Sequence, residues 1–188
     1  EAFGITTADL AASLRFYGWT QPTLSLGYFQ PSATARAYPG LCELPWLRRH
    51  SGGAALVHHH ELTYALALPA GGDWQPAGVS WIARMHGYVQ AALGIEAALC
   101  EHEDKRGEVL CFLHHTPGDL ILGDAKVVGS AQRKNRGALL QHGSILLRQS
   151  PHAPQLPGVE ELSGKVVSEE ALCDALVAAM GRRFAWTI

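Results

Sequence analysis

The chain has no excess of charge of either sign. Its formal net charge is −2 at pH 7, with 17% of residues charged, which argues against nucleic acid as a main partner, because a phosphate backbone asks for a basic face. Long apolar runs are missing as well. Leu120-Ile121-Leu122 and Ile145-Leu146-Leu147 are strand-sized, far short of the roughly 20 residues that cross a bilayer as a helix, so we expect no membrane segment. Cysteine is scarce: Cys42, Cys100, Cys111 and Cys173 stand far apart with no Cys-x-x-Cys spacing. That is neither a disulfide scaffold nor a zinc ribbon, and we expect reduced thiols in a cytoplasmic protein. The opening Glu1-Ala2-Phe3-Gly4 reads as neither a signal peptide nor an initiator segment, so a trimmed N-terminus is expected.

Several nucleotide and metal motifs are also missing. Ser51-Gly52-Gly53-Ala54 is a glycine loop with no following Gly-Lys-Ser/Thr, and no Gly-x-Gly-x-x-Gly occurs. His-Glu-x-x-His is absent. In a strand, His58 and His60 would share one face while His59 points away, so the three cannot easily ligate one ion. No metal site and no cofactor are expected.

What is present has the composition of a globular domain: 188 residues, 47% of them hydrophobic, enough for one sizeable core. We expect strands at Leu14–Trp19, Thr23–Tyr28, Trp46–His50, Ala55–His58 and Leu62–Leu68. Further strands are expected at Glu96–Cys100, Glu108–Phe112, Asp119–Leu122, Lys126–Gln132 and Ala138–Leu147, with Gly137 turning a hairpin. Gly71-Gly72-Asp73 marks a break. Between Gly78 and Leu93, apolar Val79, Ile82, Met85, Val89 and Leu93 recur at steps of three and four, a helical period. Pro151, Pro154 and Pro157 make a stiff loop. A last helix runs from Ser168, a natural N-cap, to Arg183. The expected fold is α+β: a mostly antiparallel sheet with packed helices, in a single domain over residues 1–188.

The chemistry concentrates in Gly123-Asp124-Ala125-Lys126-Val127-Val128-Gly129-Ser130-Ala131, with Cys111 fifteen residues before the lysine. A free cysteine in an apolar run is most often a small buried hydrophobe, and it becomes a nucleophile when a nearby positive charge favours its thiolate. Lys126 could be that charge or a solvated strand lysine. The small residues after it would admit a substrate close to the backbone. Arg48 and Arg49 ahead of the glycine loop suit an anionic or carbonyl ligand. His142 faces across the hairpin toward the Lys126 strand. Arg133, Lys134 and Arg136 form a charged tip that could steer an acidic protein partner.

Taken in order, Arg15-Phe16-Tyr17-Gly18-Trp19, Pro22 to Gln30, Arg48-Arg49-His50-Ser51-Gly52-Gly53, Glu61-Leu62-Thr63-Tyr64, Lys126 to Gln132 and Leu140 to Leu147 resemble the lipoate–biotin protein ligase and acyltransferase superfamily. The Glu-Leu-Thr-Tyr, Gly-Ser-Ala-Gln and Leu-Gln-His-Gly-Ser-Ile forms are most similar to its octanoyltransferase branch, as is Cys111-Phe112 upstream of Lys126. The resemblance implies a catalytic domain like that of biotin and lipoate ligases and class II aminoacyl-tRNA synthetases. It also implies octanoyl transfer from acyl carrier protein to a lysine of a lipoyl domain through a Cys111 thioester, without ATP. The acceptor would be the glycine cleavage H protein or a 2-oxoacid dehydrogenase subunit, and the enzyme a monomer. Lys126 would lower the thiol pKa and hold the acyl carbonyl. Arg49, Ser51, Gly52, Gly53, His58, Gly129, Ser130, Ala131, His142 and Gly143 would form the substrate site. An ATP-dependent lipoate ligase, or a carrier-binding homologue without activity, are the alternatives.

Overall fold

The computed structural model describes residues 12–37, 40–70, 80–105 and 109–184. The break at Gly71-Gly72-Asp73, the start of the helix expected from Gly78 and the start of the strand expected from Glu108 lie outside the described residues.

The main sheet has six strands in the order β1 (Ser13–Tyr17), β5 (Glu61–Leu68), β11 (Ala138–Leu146), β10 (Ala125–Asn135), β9 (Leu120–Leu122) and β6 (Ala98–Leu99), each antiparallel to its neighbours. Its two faces follow from the period of two. On β5, Leu62, Tyr64, Leu66 and Leu68 point into a core shared with α1 (Trp81–Leu93) and α3 (Glu169–Phe184), and Glu61, Thr63 and Ala65 take the other face. On β11, Leu139 and Ile145 join the helical core, while Leu140, His142 and Ser144 line the opposite side. The helix expected to Leu93 is present with Trp81, Met85 and Val89 buried. The expected N-cap of the last helix is present too: Ser168 Oγ accepts the Ala171 N–H at 3.2 Å.

A second sheet lies over the polar face of the first. Its order is β3 (Trp46–Arg48), β2 (Thr23–Leu26), β4 (Leu56–His58), with β2 and β3 parallel. Beneath it Leu24, Leu26, Val57, Leu110, Phe112 and Leu146 form a second core. A two-stranded ribbon, β7 (Asp104–Lys105) and β8 (His114–His115), completes the strands among the described residues.

One expectation is corrected. The strand read through Phe112 is a 3₁₀ turn over Cys111–Leu113, because the chain pairs with Ala55 through one bridge at Leu110 and then turns away. A short helix, α2 (Val159–Ser163), follows the proline stretch. That stretch is the stiff loop expected, and it buries Ala153 and Leu156 in the second core.

Candidate active site

A cleft of about 830 Å³ opens between the two sheets. Its floor is a set of cross-strand rows. Gly129, Ser144, Thr63 and Tyr17 stand side by side on β10, β11, β5 and β1, and Ala131, His142 and Ala65 form the next row. Small residues in these rows leave room for a ligand on an otherwise continuous sheet.

Lys126 reaches this floor because β10 is irregular. Its pairing with β9 slips between Lys126 and Val128, so the strand carries one extra residue at Val127. Without the bulge, Lys126 would share the helix-facing parity of Val128. With it, Lys126 shares the cleft face with Gly129, and a Cβ on Gly129 would overlap Lys126 Cε. Gly129 is therefore small to seat the lysine chain. The buried Nζ pairs with Asp119 Oδ2 at 2.7 Å and donates to the carbonyl oxygens of His114 at 3.1 Å and Cys111 at 3.5 Å. Asp119 also accepts the Thr116 N–H and hydroxyl.

Cys111 arrives from the other side. The Ala55 N–H donates to Val109 O at 2.8 Å and the Cys111 N–H to Ala55 O at 2.7 Å. The turn that follows sets its free, partly exposed thiol in the cleft wall.

Arg49 knits the glycine loop to β2. Its Nη1 donates to Ser25 O at 2.9 Å and Ser25 Oγ at 2.6 Å, and its Nη2 to Ala54 O at 2.7 Å and Gly52 O at 3.3 Å. The loop lies so close to β2 that a Cβ on Gly27 would overlap the Gly53 carbonyl, while Gly53 holds φ +95°. A Cβ built on Gly53 would lie 3.4 Å from Arg49 Nη2 and 4.0 Å from Cys111 Sγ, so the cation and the thiol border one point.

Behind Arg49 runs a buried polar network. His58 meets Ser25 Oγ with Nε2 at 2.6 Å and Glu61 Oε1 with Nδ1 at 2.6 Å, beneath the stacked ring of Trp19. Glu61 Oε1 also accepts the hydroxyls of Thr63 at 2.6 Å and Ser144 at 2.8 Å. Burial, followed by the charge of Arg49 and His58, lowers His142 to about 4, and the ring bonds Ser51. On the helix side, Ser130 bonds Tyr64 and, at 2.5 Å, His86 Nε2, whose Nδ1 faces Gly118 O at 2.5 Å. Burial lowers His86 to about 4 and pushes Tyr64 up to about 12.

Eleven of the twelve residues expected from sequence, namely Cys111, Lys126, Arg49, Gly52, Gly53, His58, Gly129, Ser130, Ala131, His142 and Gly143, line this cleft. The twelfth, Ser51, is buried behind it against His142. Sequence reasoning missed Asp119, Ser25 and His86, and gave Glu61 no role. The available signals were weak: an aspartate entering the apolar run Leu120–Leu122, and a polar Glu61-Thr63 parity opposite Leu62-Tyr64.

The lipoyl protein ligase A/B catalytic domain model matches residues 5–168. The chain belongs to that family. It is 30% identical over 213 residues to an octanoyltransferase LipM of Kyrpidia tusciae, covering 93% of this chain and 78% of that protein. It is 34% identical over 148 residues to the octanoyltransferase LipM of Lysinibacillus sphaericus, covering 71% of this chain and 54% of the relative. In structure it is similar to a putative lipoate protein ligase from T. acidophilum, with TM-score 0.68, 22% identity and coverage of 91% and 71%, a likeness of fold. The sequence kinship supports an acyltransferase of the octanoyl-transferring kind over an ATP-dependent ligase.

Proposed function

We propose that this cleft moves an octanoyl group from acyl carrier protein to a lysine of a lipoyl domain through a thioester on Cys111. The observation that carries the reading is a free thiol in the wall of a cleft floored by small and polar residues, which also holds Arg49 and Lys126. In the first half-reaction the Cys111 thiolate attacks the donor carbonyl, a new C–S bond forms, and the carrier leaves as its thiol after taking a proton. In the second, the acceptor amine attacks the same carbon, a C–N bond forms, and the C–S bond to Cys111 breaks. Cys111 leaves as the thiolate it began as, and the proton shed by the amine balances the one taken up by the departing carrier thiol. Lys126, on the cleft floor, faces the acyl carbonyl as its oxygen gains charge. Both groups are exchanged at one carbon, and thioester to amide runs downhill, so the reaction consumes no ATP.

The basic hairpin tip at Arg133, Lys134 and Arg136 suits an acidic carrier protein. The acceptor is a glycine cleavage H protein or a 2-oxoacid dehydrogenase subunit, and the enzyme acts as a cytoplasmic monomer. Purified protein given octanoyl-acyl carrier protein and a lipoyl domain should octanoylate the domain without ATP, and Cys111→Ala should reduce this to background. Transfer that needs ATP and survives Cys111→Ala would establish a ligase instead.

A further inference from the structure

We propose that His86, on the buried face of α1, is a positioning residue for octanoyl transfer: it ties the turn that carries Asp119 to the cleft floor at Ser130, and so holds Lys126 where the acyl carbonyl is received. The proposal rests on the reading of this cleft as an acyl-transfer site and names what steadies its lysine from behind.

Lys126 is seated by Asp119, whose Oδ2 lies 2.7 Å from Nζ. The same oxygen accepts the Thr116 N–H at 2.8 Å and the Thr116 hydroxyl at 2.9 Å, which closes a turn over residues 116–119. One side of that turn is fixed by the lead out of β6: the Gly118 N–H donates to Cys100 O at 2.8 Å and the Cys100 N–H to Asp119 O at 2.7 Å. The other side rests on α1. Gly118 holds φ +93°, and a Cβ there would lie 3.2 Å from Ile82 Cγ2 and 3.4 Å from the Ala83 backbone nitrogen. Four residues after Ile82, on the same face of the helix, stands His86, fully buried. Its Nδ1 faces Gly118 O at 2.5 Å and its Nε2 faces Ser130 Oγ at 2.5 Å. A carbonyl only accepts, so Nδ1 donates to it. A hydroxyl both donates and accepts, so the bond at Nε2 forms in either charge state of the ring.

The two anchors bracket the lysine. Gly118 directly precedes Asp119, and Ser130 follows Lys126 by four residues on β10. Between them the β9–β10 ladder slips, at the bulge between Lys126 and Val128. A bulge interrupts ladder hydrogen bonds, so the strand pairing is weakest beside the lysine, and His86 spans that gap from the helix layer. Its anchor on β10 is itself fixed: Ser130 also bonds the Tyr64 hydroxyl, which accepts from Gln141 Nε2 at 3.0 Å. An imidazole this deep in an apolar core costs free energy unless its polar atoms are satisfied. The two bonds printed by the geometry satisfy both ring nitrogens, and both lead to the surroundings of Lys126.

The test compares three substitutions at this one position, with near-ultraviolet circular dichroism as the check of fold. Asparagine sets its amide near the place of Nδ1 and keeps a donor for Gly118. Glutamine sets its amide near Nε2 and keeps a partner for Ser130 alone, and leucine keeps neither. Hydrogen exchange of residues 114–122, followed by peptide mass against peptides from β5 and β11, reads the turn with no acyl donor present. His86→Leu should speed exchange in the turn several-fold and leave the β5 and β11 peptides within about twofold of the parent. It should lower kcat roughly tenfold or more, with KM for the carrier and for the lipoyl domain nearly unchanged. His86→Asn should restore both readouts, and His86→Gln should follow His86→Leu. Parental exchange in the turn of folded His86→Leu overturns the proposal, as does faster exchange with parental kcat, or a loss that His86→Asn does not restore. Should His86→Leu not fold, equal exchange and equal kcat in His86→Asn and His86→Gln overturn it. The exchange measurement stands apart from turnover, so failure of octanoyl transfer and failure of this assignment are read separately.

Discussion

At Lys126 a residue suited to solvent is almost fully buried, with a side-chain exposure of 3% against 1% for its partner Asp119. Two charges withdrawn from water are tolerable while each satisfies the other, and removing one strands its mate. Asp119→Asn should therefore lower unfolding free energy by about 3–5 kcal/mol. Lys126→Met/Asp119→Leu should lose much less, and urea denaturation of Asp119→Asn and of the double variant measures the difference. An Asp119→Asn protein as stable as the parent would show that the pair is already solvated. The lysine itself was legible in the sequence, because small residues flank it. Asp119 was not, since nothing in Pro117-Gly118-Asp119-Leu120 distinguishes a turn aspartate from an ion-pair partner seven residues ahead. The same holds for Ser25, one serine inside a buried strand whose bond to Arg49 exists only once β2 and the glycine loop are apposed.

At the scale of elements, alternation carried β1, β2, β5, β10 and β11 to within a few residues, the helical period carried α1, and the N-cap at Ser168 carried α3. It could not reveal the bulge at Val127, because Lys126-Val127-Val128 reads equally well as a regular strand. Yet the bulge decides which face Lys126 takes. Nor could it place the turn at Cys111, where one bridge to Ala55 ends the pairing that an apolar run suggests. The glycine loop is the other element whose shape is set by contact. A methyl on Gly27 would press on the backbone of Gly53, which no side-chain rotation relieves. Gly27→Ala should displace the loop with Arg49, costing about 1–3 kcal/mol of stability and most of the transfer activity. Thermal unfolding and the acyl-transfer assay check both. A variant of normal stability and activity would mean the loop yields freely.

For the whole molecule, two imidazoles, one buried and one half-buried, tie stability to pH. Burial holds His86 and His142 at about 4, below the ordinary 6.5. Between these values the unfolded chain takes up protons that the folded chain refuses. Their contribution is thus full above pH 6.5 and is lost as pH falls toward 4. Denaturation midpoints should decline across that window, and the decline should shrink in His86→Gln, which cannot titrate. A slope unchanged by that substitution would assign the acid sensitivity elsewhere. The assembled molecule also explains why distant motifs behave as one site. The six-stranded sheet sets Lys126, His142 and Thr63 in neighbouring rows, and the second sheet brings Arg49 and Cys111 over them.

The most direct test of the account is the intact mass of the protein after brief exposure to octanoyl-acyl carrier protein with no acceptor present. We predict one octanoyl group per chain, removed by hydroxylamine and absent from Cys111→Ala. A wild-type protein that octanoylates a lipoyl domain yet never carries that adduct would contradict it.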